Sequence, residues 1–389
     1  MKITEVKTFV VGTPPPHRGG FNWVFVKLMT DEGICGYGEV GSTRVNERTS
    51  VELLKEMGEY FVVGSDPFKI ELLWRRLYTG YQGFQHPDML RLPVISAFEM
   101  ACWDIVGKAV NQPVYNLLGG LYNEKLRAYS YIYGWWAGDP PEKAAERAAY
   151  YADQGFTAMG FDPVQPPMPN PRELSLDRLR YVENVVKAVR GAVGDKMDIL
   201  IKTHGQLTPQ AAIRMAKRIE PYDPLWFEEP IPSENVDELV RVARATTIPI
   251  ATGERNTTKY DFVPIIEKQA AAILQPSVGC AGGILEVKKI AAMGEGHFLQ
   301  IAPWVFHGPI AAAASLHLAA TLPNFLLHEG IEMWDGFYAE ILKEPIVWEK
   351  GFIIPPSKPG LGVELNEEVV AQHPFKKSPI HPYITHPIL

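Results

Sequence analysis

Short apolar runs in this chain stop in polar residues at a nearly constant interval. The runs DILIKTHG, LWFEEP, IPIATGE, AAILQPS, FLQIAPW and NFLLHE end near positions 204, 229, 254, 277, 304 and 329, a step of about 25 residues. Amphipathic segments such as TPQAAIRMAKRIEP, NVDELVRVARATT and GGILEVKKIAAMGEG lie between them. One buried strand, one helix and two loops consume about that length, and repetition of the unit is what a parallel βα barrel requires. Two earlier runs, RAYSYI and FTAMGFDP, are followed by PPEKAAERAAYYADQG and LDRLRYVENVVKAVRGAVG and bring the strands to eight. An open doubly wound sheet uses the same units but needs a reversal of strand order. No such reversal is legible here, and an α/β barrel is the expected fold.

Before Leu126 the texture differs. ITEVKTFVV, WVFVKLMT and ICGYGEV read as a meander, with a tight turn at TDEG. VELLKEMGEYFV, KIELLWRRLYTG and LPVISAFEMACWDIVGKAV then read as helices, the last ended by Asn111-Gln112-Pro113. Strands followed by helices suggest an α+β unit. With 389 residues there is room for two domains, and we place them at 1–124 and 125–389. A net charge of −7 without long runs argues against a nucleic-acid surface. No apolar run is long enough to span a membrane, and the N-terminus lacks the pattern of a signal peptide. Cys35, Cys102 and Cys280 are sparse and odd in number, so a reducing, cytoplasmic setting is expected rather than a disulfide framework.

In a βα barrel the chemistry gathers where strands end. Those ends supply Asp162, Lys202, His204, Glu228, Glu229, Glu254, Arg255, Ser277, Trp304, His328 and Glu329. Asp162, just before Pro163, reads as a capping or loop-solvating residue. Glu228 and Glu254 close successive strands, so their carboxylates repel unless a cation or protons intervene. Mg²⁺ suits oxygen ligands of this kind, and it can hold a substrate carboxylate while the α-proton leaves. A nearby Arg could balance the charge instead. Lys202 and His204 are two residues apart, which puts both on one face of a strand, with Thr203 opposite. A His in that place can protonate a departing hydroxyl.

Three stretches carry a family resemblance: LWFEEPIPSENVDELVRVARATTIPIATGER, ILQPSVGCAGGILEVKKIAAM and GPIAAAASLHLAATLPNFLLHEGI. With DEGICGYGE, SAFEMACWDIVGKAVNQPVYNLLGG and KPGLGVELNEEVV, they resemble the enolase superfamily. Within it they are most similar to the mandelate racemase and galactonate dehydratase branch. The resemblance implies a modified (β/α)7β TIM barrel under an N-terminal α+β capping domain, with a C-terminal segment returning to the cap. It also implies Mg²⁺ and removal of a proton α to a carboxylate.

Carried over position by position, the resemblance makes Glu228 and Glu254 two of three metal ligands. Lys202 stands where the third, an Asp, belongs. His204 matches the acid that assists loss of the hydroxyl, and Glu329 matches an acid of the last strand. Ser277 and Trp304 stand where dehydratases keep an Asp–His base pair. Gly160, in Gly160-Phe161-Asp162-Pro163, stands where other branches keep a basic lysine. His307, beyond Trp304, is then a candidate base from the loop, and Lys202 is either a replacement for the ion or itself the base. Glu229, Arg255, Trp304 and His17 are the candidate substrate contacts. His17 lies in PPPHRGGFNW, which with YQGFQHPD would close over the mouth; Tyr133, Trp135 and Trp136 could form an apolar wall.

The implied activity is that of a Mg²⁺-dependent lyase or isomerase converting a sugar acid to a 2-keto-3-deoxy acid. A cycloisomerase or racemase, or a non-catalytic binder of a sugar acid, is the alternative. The expected partners are the small-molecule sugar acid and further copies of the chain in a homo-oligomer.

Overall fold

The computed structural model describes residues 1–41, 47–80, 88–164 and 171–377. Strands β1 (Ile3–Gly12), β2 (Asn22–Thr30) and β3 (Cys35–Val40) form an antiparallel meander in that order. Helices α1 (Glu47–Met57), α2 (Ile70–Thr79), α3 (Arg91–Ala109) and α4 (Val114–Leu117) follow. Helix α3 is apolar on nearly every face because it is covered on nearly every face. It meets the meander so closely that a Cβ on Gly38 would stand 1.9 Å from the Ala97 carbonyl oxygen. Only glycine permits that approach.

The second layer begins with β4 (Leu126–Tyr131), α5 (Pro141–Asp153), β5 (Ala158–Phe161), α6 (Leu176–Val193), β6 (Asp198–Lys202) and α7 (Pro209–Ile219). It continues with β7 (Trp226–Glu228), α8 (Val236–Ala243), β8 (Ile250–Thr252), α9 (Thr258–Glu267), β9 (Ile273–Leu274) and α10 (Ile284–Glu295). It ends with β10 (Gln300–Ile301), α11 (Pro309–Ala319) and β11 (His328–Glu329). Strands β4 to β10 pair in parallel, each with the next. Strand β11 pairs in parallel with β4, and a bridge from Ile301 to Phe325 joins it to β10, so the sheet closes. The eight strands are the eight expected runs.

One layer of the barrel interior takes a single residue from each strand segment: Tyr129, Ala158, Leu200, Trp226, Ala251, Ile273, Ala302 and Leu327. Large rings and alanines share the layer, which fills the space without a pore. Because side chains alternate along a strand, the next inward layer toward the strand ends holds the residues two positions on. Those are Tyr131, Gly160, Lys202, Glu228, Gly253, Gln275, Trp304 and Glu329.

Acids of the N-terminal domain receive the N-termini of barrel helices. Glu39 of β3 accepts from the amides of Gly308, Ile310 and Ala311 at the start of α11. Glu99 of α3 accepts from Ile284 and Leu285 at the start of α10. Helix N-termini carry unpaired N–H groups and partial positive charge, so a carboxylate is the natural buried partner. These helices follow β9 and β10, and the N-terminal domain therefore sits at the mouth. The chain then adds α12 (Phe337–Glu340) and the hairpin β12 (Val347–Glu349)–β13 (Phe352–Ile354), which pairs antiparallel with β4. It ends at α13 (Glu367–Gln372), where Glu367 pairs with Lys7 at 2.9 Å and Lys27 at 2.7 Å.

Candidate active site

Lys202 closes β6 and is only 2% exposed. Its stem runs over β5, where a Cβ on Gly160 would come within 2.8 Å of Lys202 Cδ. Its ammonium lies 3.1 Å from Glu228 Oε1 and 2.9 Å from Glu329 Oε1, and it donates to the Tyr129 hydroxyl at 3.2 Å. The remaining carboxylate oxygens are engaged as well. Glu228 Oε2 accepts from Trp226 Nε1 at 3.0 Å and Gln275 Nε2 at 2.7 Å. Glu329 Oε2 accepts from the Val305 amide at 2.9 Å. Burial favours the neutral amine, but the charges of Glu228 and Glu329 outweigh it and hold the Lys202 pKa well above its ordinary value. Lys202 is therefore a fixed cation at neutral pH. Held this way, Lys202 is arranged as a matched cation beside Glu228 and Glu329 rather than as a neutral amine.

The backbone leaves the strand pleat just beyond. His204 has φ 53° and Glu229 φ 39°, both left-handed and both uncommon without glycine. Thr203 holds the two turns together, its hydroxyl donating to the Glu228 and Glu229 carbonyls at 3.0 and 2.9 Å. Strand alternation thus stops at Lys202, and the turn, not the pleat, aims His204. His204 Nδ1 lies 2.8 Å from Asp162 Oδ2, which also accepts from Gln206 Nε2 at 2.7 Å. Asp162 Oδ1 accepts from the Val164 amide at 2.8 Å, so it does cap its loop, but the residue is fully buried and does not solvate it. It is a carboxyl group at the end of β5 that holds a histidine at the end of β6. Burial works against the imidazolium, yet the hydrogen bond and charge of Asp162 leave the His204 pKa raised.

Arg255 bridges two acids. It lies 2.6 Å from Glu254 Oε1 and forms an ion pair with Glu229, while remaining 40% exposed. Burial, with the charges of Glu228 and Glu329, raises the Glu254 pKa to about 7 against the opposing pull of His204 and Lys202. Its Oε2 is buried and has no hydrogen-bond partner among the described residues. Across the mouth, His307 Nε2 lies 2.7 Å from Ser277 Oγ, and the His307 ring meets Trp304 edge-on at 4.8 Å.

Other candidates are placed differently. His17 lies 3.1 Å from the Thr13 hydroxyl and packs on Phe21 at 4.5 Å, both in its own loop. That loop does reach the barrel: Arg18 pairs with Glu332 at 2.9 Å and covers the Tyr133 ring, and Gly19 abuts the His307 carbonyl. Trp135 is buried and Trp136 exposed, so they form no common wall. Residues 81–87 of YQGFQHPD lie outside the described residues. Buried His328 is held neutral, its pKa lowered to about 4 by burial.

Magnesium, implied by the resemblance, does not fit these side chains. Among the described residues no group of three His, Cys, Asp or Glu is arranged to hold a metal ion. Mg²⁺ demands about six oxygens at roughly 2.0–2.1 Å. Here an ammonium already lies against Glu228, and Arg255 against Glu254.

A parallel barrel with an α+β domain at its mouth, and with acids and a histidine on its strand ends, defines the enolase-type architecture. Residues 5–119 match the mandelate racemase/muconate lactonizing enzyme N-terminal domain, and residues 143–369 match the enolase C-terminal domain-like family. The chain belongs to the mandelate racemase/muconate lactonizing enzyme group of the enolase superfamily. It is 37% identical to a D-galactonate dehydratase of Pectobacterium atrosepticum, over 96% of this chain and 94% of that one. It is 36% identical to the D-galactonate dehydratase of Cronobacter sakazakii, over 95% and 94%. The solved structure of a mandelate racemase/muconate lactonizing enzyme from Sulfitobacter superposes with a TM-score of 0.93 at 43% identity, covering 98% of this chain and 97% of that one.

Proposed function

We propose that this protein is a lyase that removes the proton α to the carboxylate of a sugar acid and expels the β-hydroxyl, giving a 2-keto-3-deoxy acid. The observation that carries this reading is the His204–Asp162 pair beside the acids of the mouth. A histidine whose pKa is raised by a buried carboxylate is suited to protonate a leaving hydroxyl. The relatives named dehydratases support the reaction class. Glu254 Oε2, a buried carboxylate oxygen of the mouth without a hydrogen-bond partner among the described residues, is the acceptor we assign to the α-proton. The C–H pair becomes the new double bond, the C–O bond breaks, and the hydroxyl leaves as water with the His204 proton. The enol then tautomerises to the ketone. Arg255, paired with Glu229 and Glu254 but 40% exposed, is the cation we assign to the substrate carboxylate.

The test is a panel of sugar acids assayed for 2-keto product as the semicarbazone. One or more should turn over, and His204→Asn should lower kcat at least about a hundredfold, the ordinary worth of a general acid. Unchanged kcat in that variant overturns the role of His204. A second reading, binding without turnover, is favoured by the saturated contacts of Lys202. Ligand-induced thermal stabilisation with no product across the panel would establish it.

A further inference from the structure

We infer that Lys202 is the resident cation of this mouth, built into the barrel in place of a divalent ion, so that the site takes its ligand without metal. The inference concerns the same mouth but does not rest on the dehydration reading.

Four observations converge. The ammonium donates to Glu329 Oε1 and the Tyr129 hydroxyl and is ion-paired with Glu228 Oε1, so its positive charge is matched on three sides. The other oxygens of both carboxylates accept from Trp226, Gln275 and the Val305 amide, so every oxygen of the two already faces a protein donor. Gly160 supplies the space, since a Cβ there would collide with the Lys202 stem. Finally, Lys202 and Glu228 are each only 2% exposed. A buried charge must be matched, and each of these matches the other. Removing the lysine would leave two buried carboxylates demanding a cation. Adding Mg²⁺ beside it would place a dication next to an ammonium at van der Waals range. Arg255 plays the same part for Glu229 and Glu254. The ligand class that follows is a hydroxy-carboxylate held by side-chain cations and hydrogen bonds, insensitive to chelators.

The test is calorimetric titration with MgCl₂, without substrate, of the wild-type protein, Lys202→Asp and Glu254→Gln. Unfolding midpoints in EDTA and in MgCl₂ are measured alongside. The wild type should show only heats of dilution through the millimolar range and one midpoint in both solutions. Lys202→Asp should bind Mg²⁺ saturably, more than about tenfold tighter than the wild type. Saturable binding by the wild type that Glu254→Gln abolishes overturns the inference, as does a folded Lys202→Asp with no gain. If Lys202→Asp does not fold, the wild-type titration and midpoints decide alone. A failed turnover assay leaves all these readouts standing, so the two proposals fail separately.

Discussion

The proposed chemistry needs Glu254 ionised and His204 protonated, and the two raised pKa values bound the pH range in which both hold. Burial lifts Glu254 to about 7, so the carboxylate form is lost as pH falls through that value. Asp162 raises His204, so the imidazolium is lost as pH rises past its elevated pKa. The profile of kcat/KM should therefore be bell-shaped, with an acid limb near 7. Glu254→Gln should abolish turnover and leave the circular dichroism spectrum and unfolding midpoint close to those of the wild type. It removes a proton acceptor at a mouth position and keeps the shape. Appreciable turnover in Glu254→Gln, or an acid limb well below that region, would move the base elsewhere, with His307 the next candidate. His307 has its own geometry for the part, with Ser277 at hydrogen-bond distance where relatives are expected to keep an acid. A serine orients an imidazole but does not stabilise its cation.

At the scale of elements, the helix starts carry the prediction. Glu39 satisfies three amides at the buried N-terminus of α11. Glu39→Ala leaves them without partners and should cost roughly 3 kcal/mol, measured by urea denaturation. A loss below about 0.5 kcal/mol would mean that water replaces the carboxylate. Sequence periodicity showed the eight barrel strands and helices α5 to α8 and α10, because half-buried elements repeat at the spacing of their buried face. It did not single out α11, whose eleven residues are all buried and so show no polar face. It also passed over α9, which contains Pro264. The strand ends showed which polar residues gather, yet pairing was hidden. Asp162 looked like a loop residue because a proline follows it. Its partner, His204, is aimed by a left-handed turn that strand alternation does not describe.

For the whole molecule, the two domains meet through acids that pay a desolvation cost. Burial pushes Glu39 up to about 8 and Glu99 up to about 7, even though backbone amides pull both down. Both folded values lie above that of an unfolded glutamate, so the folded protein binds more protons than the unfolded chain between those limits. Stability from these groups is complete below the unfolded pKa and is lost as pH rises through about 7 for Glu99 and about 8 for Glu39. The docked domains should therefore loosen toward alkaline pH. The urea midpoint should fall between pH about 5 and about 8, and Glu39→Gln with Glu99→Gln, which mimic the protonated forms, should flatten that fall. The comparison of slopes isolates these acids from His204, whose raised pKa acts in the same direction in both proteins. Equal slopes in the two proteins would show that the amides at the starts of α10 and α11 keep both carboxylates ionised. The charge of the helix ends, rather than burial, would then govern how the N-terminal domain is held over the mouth.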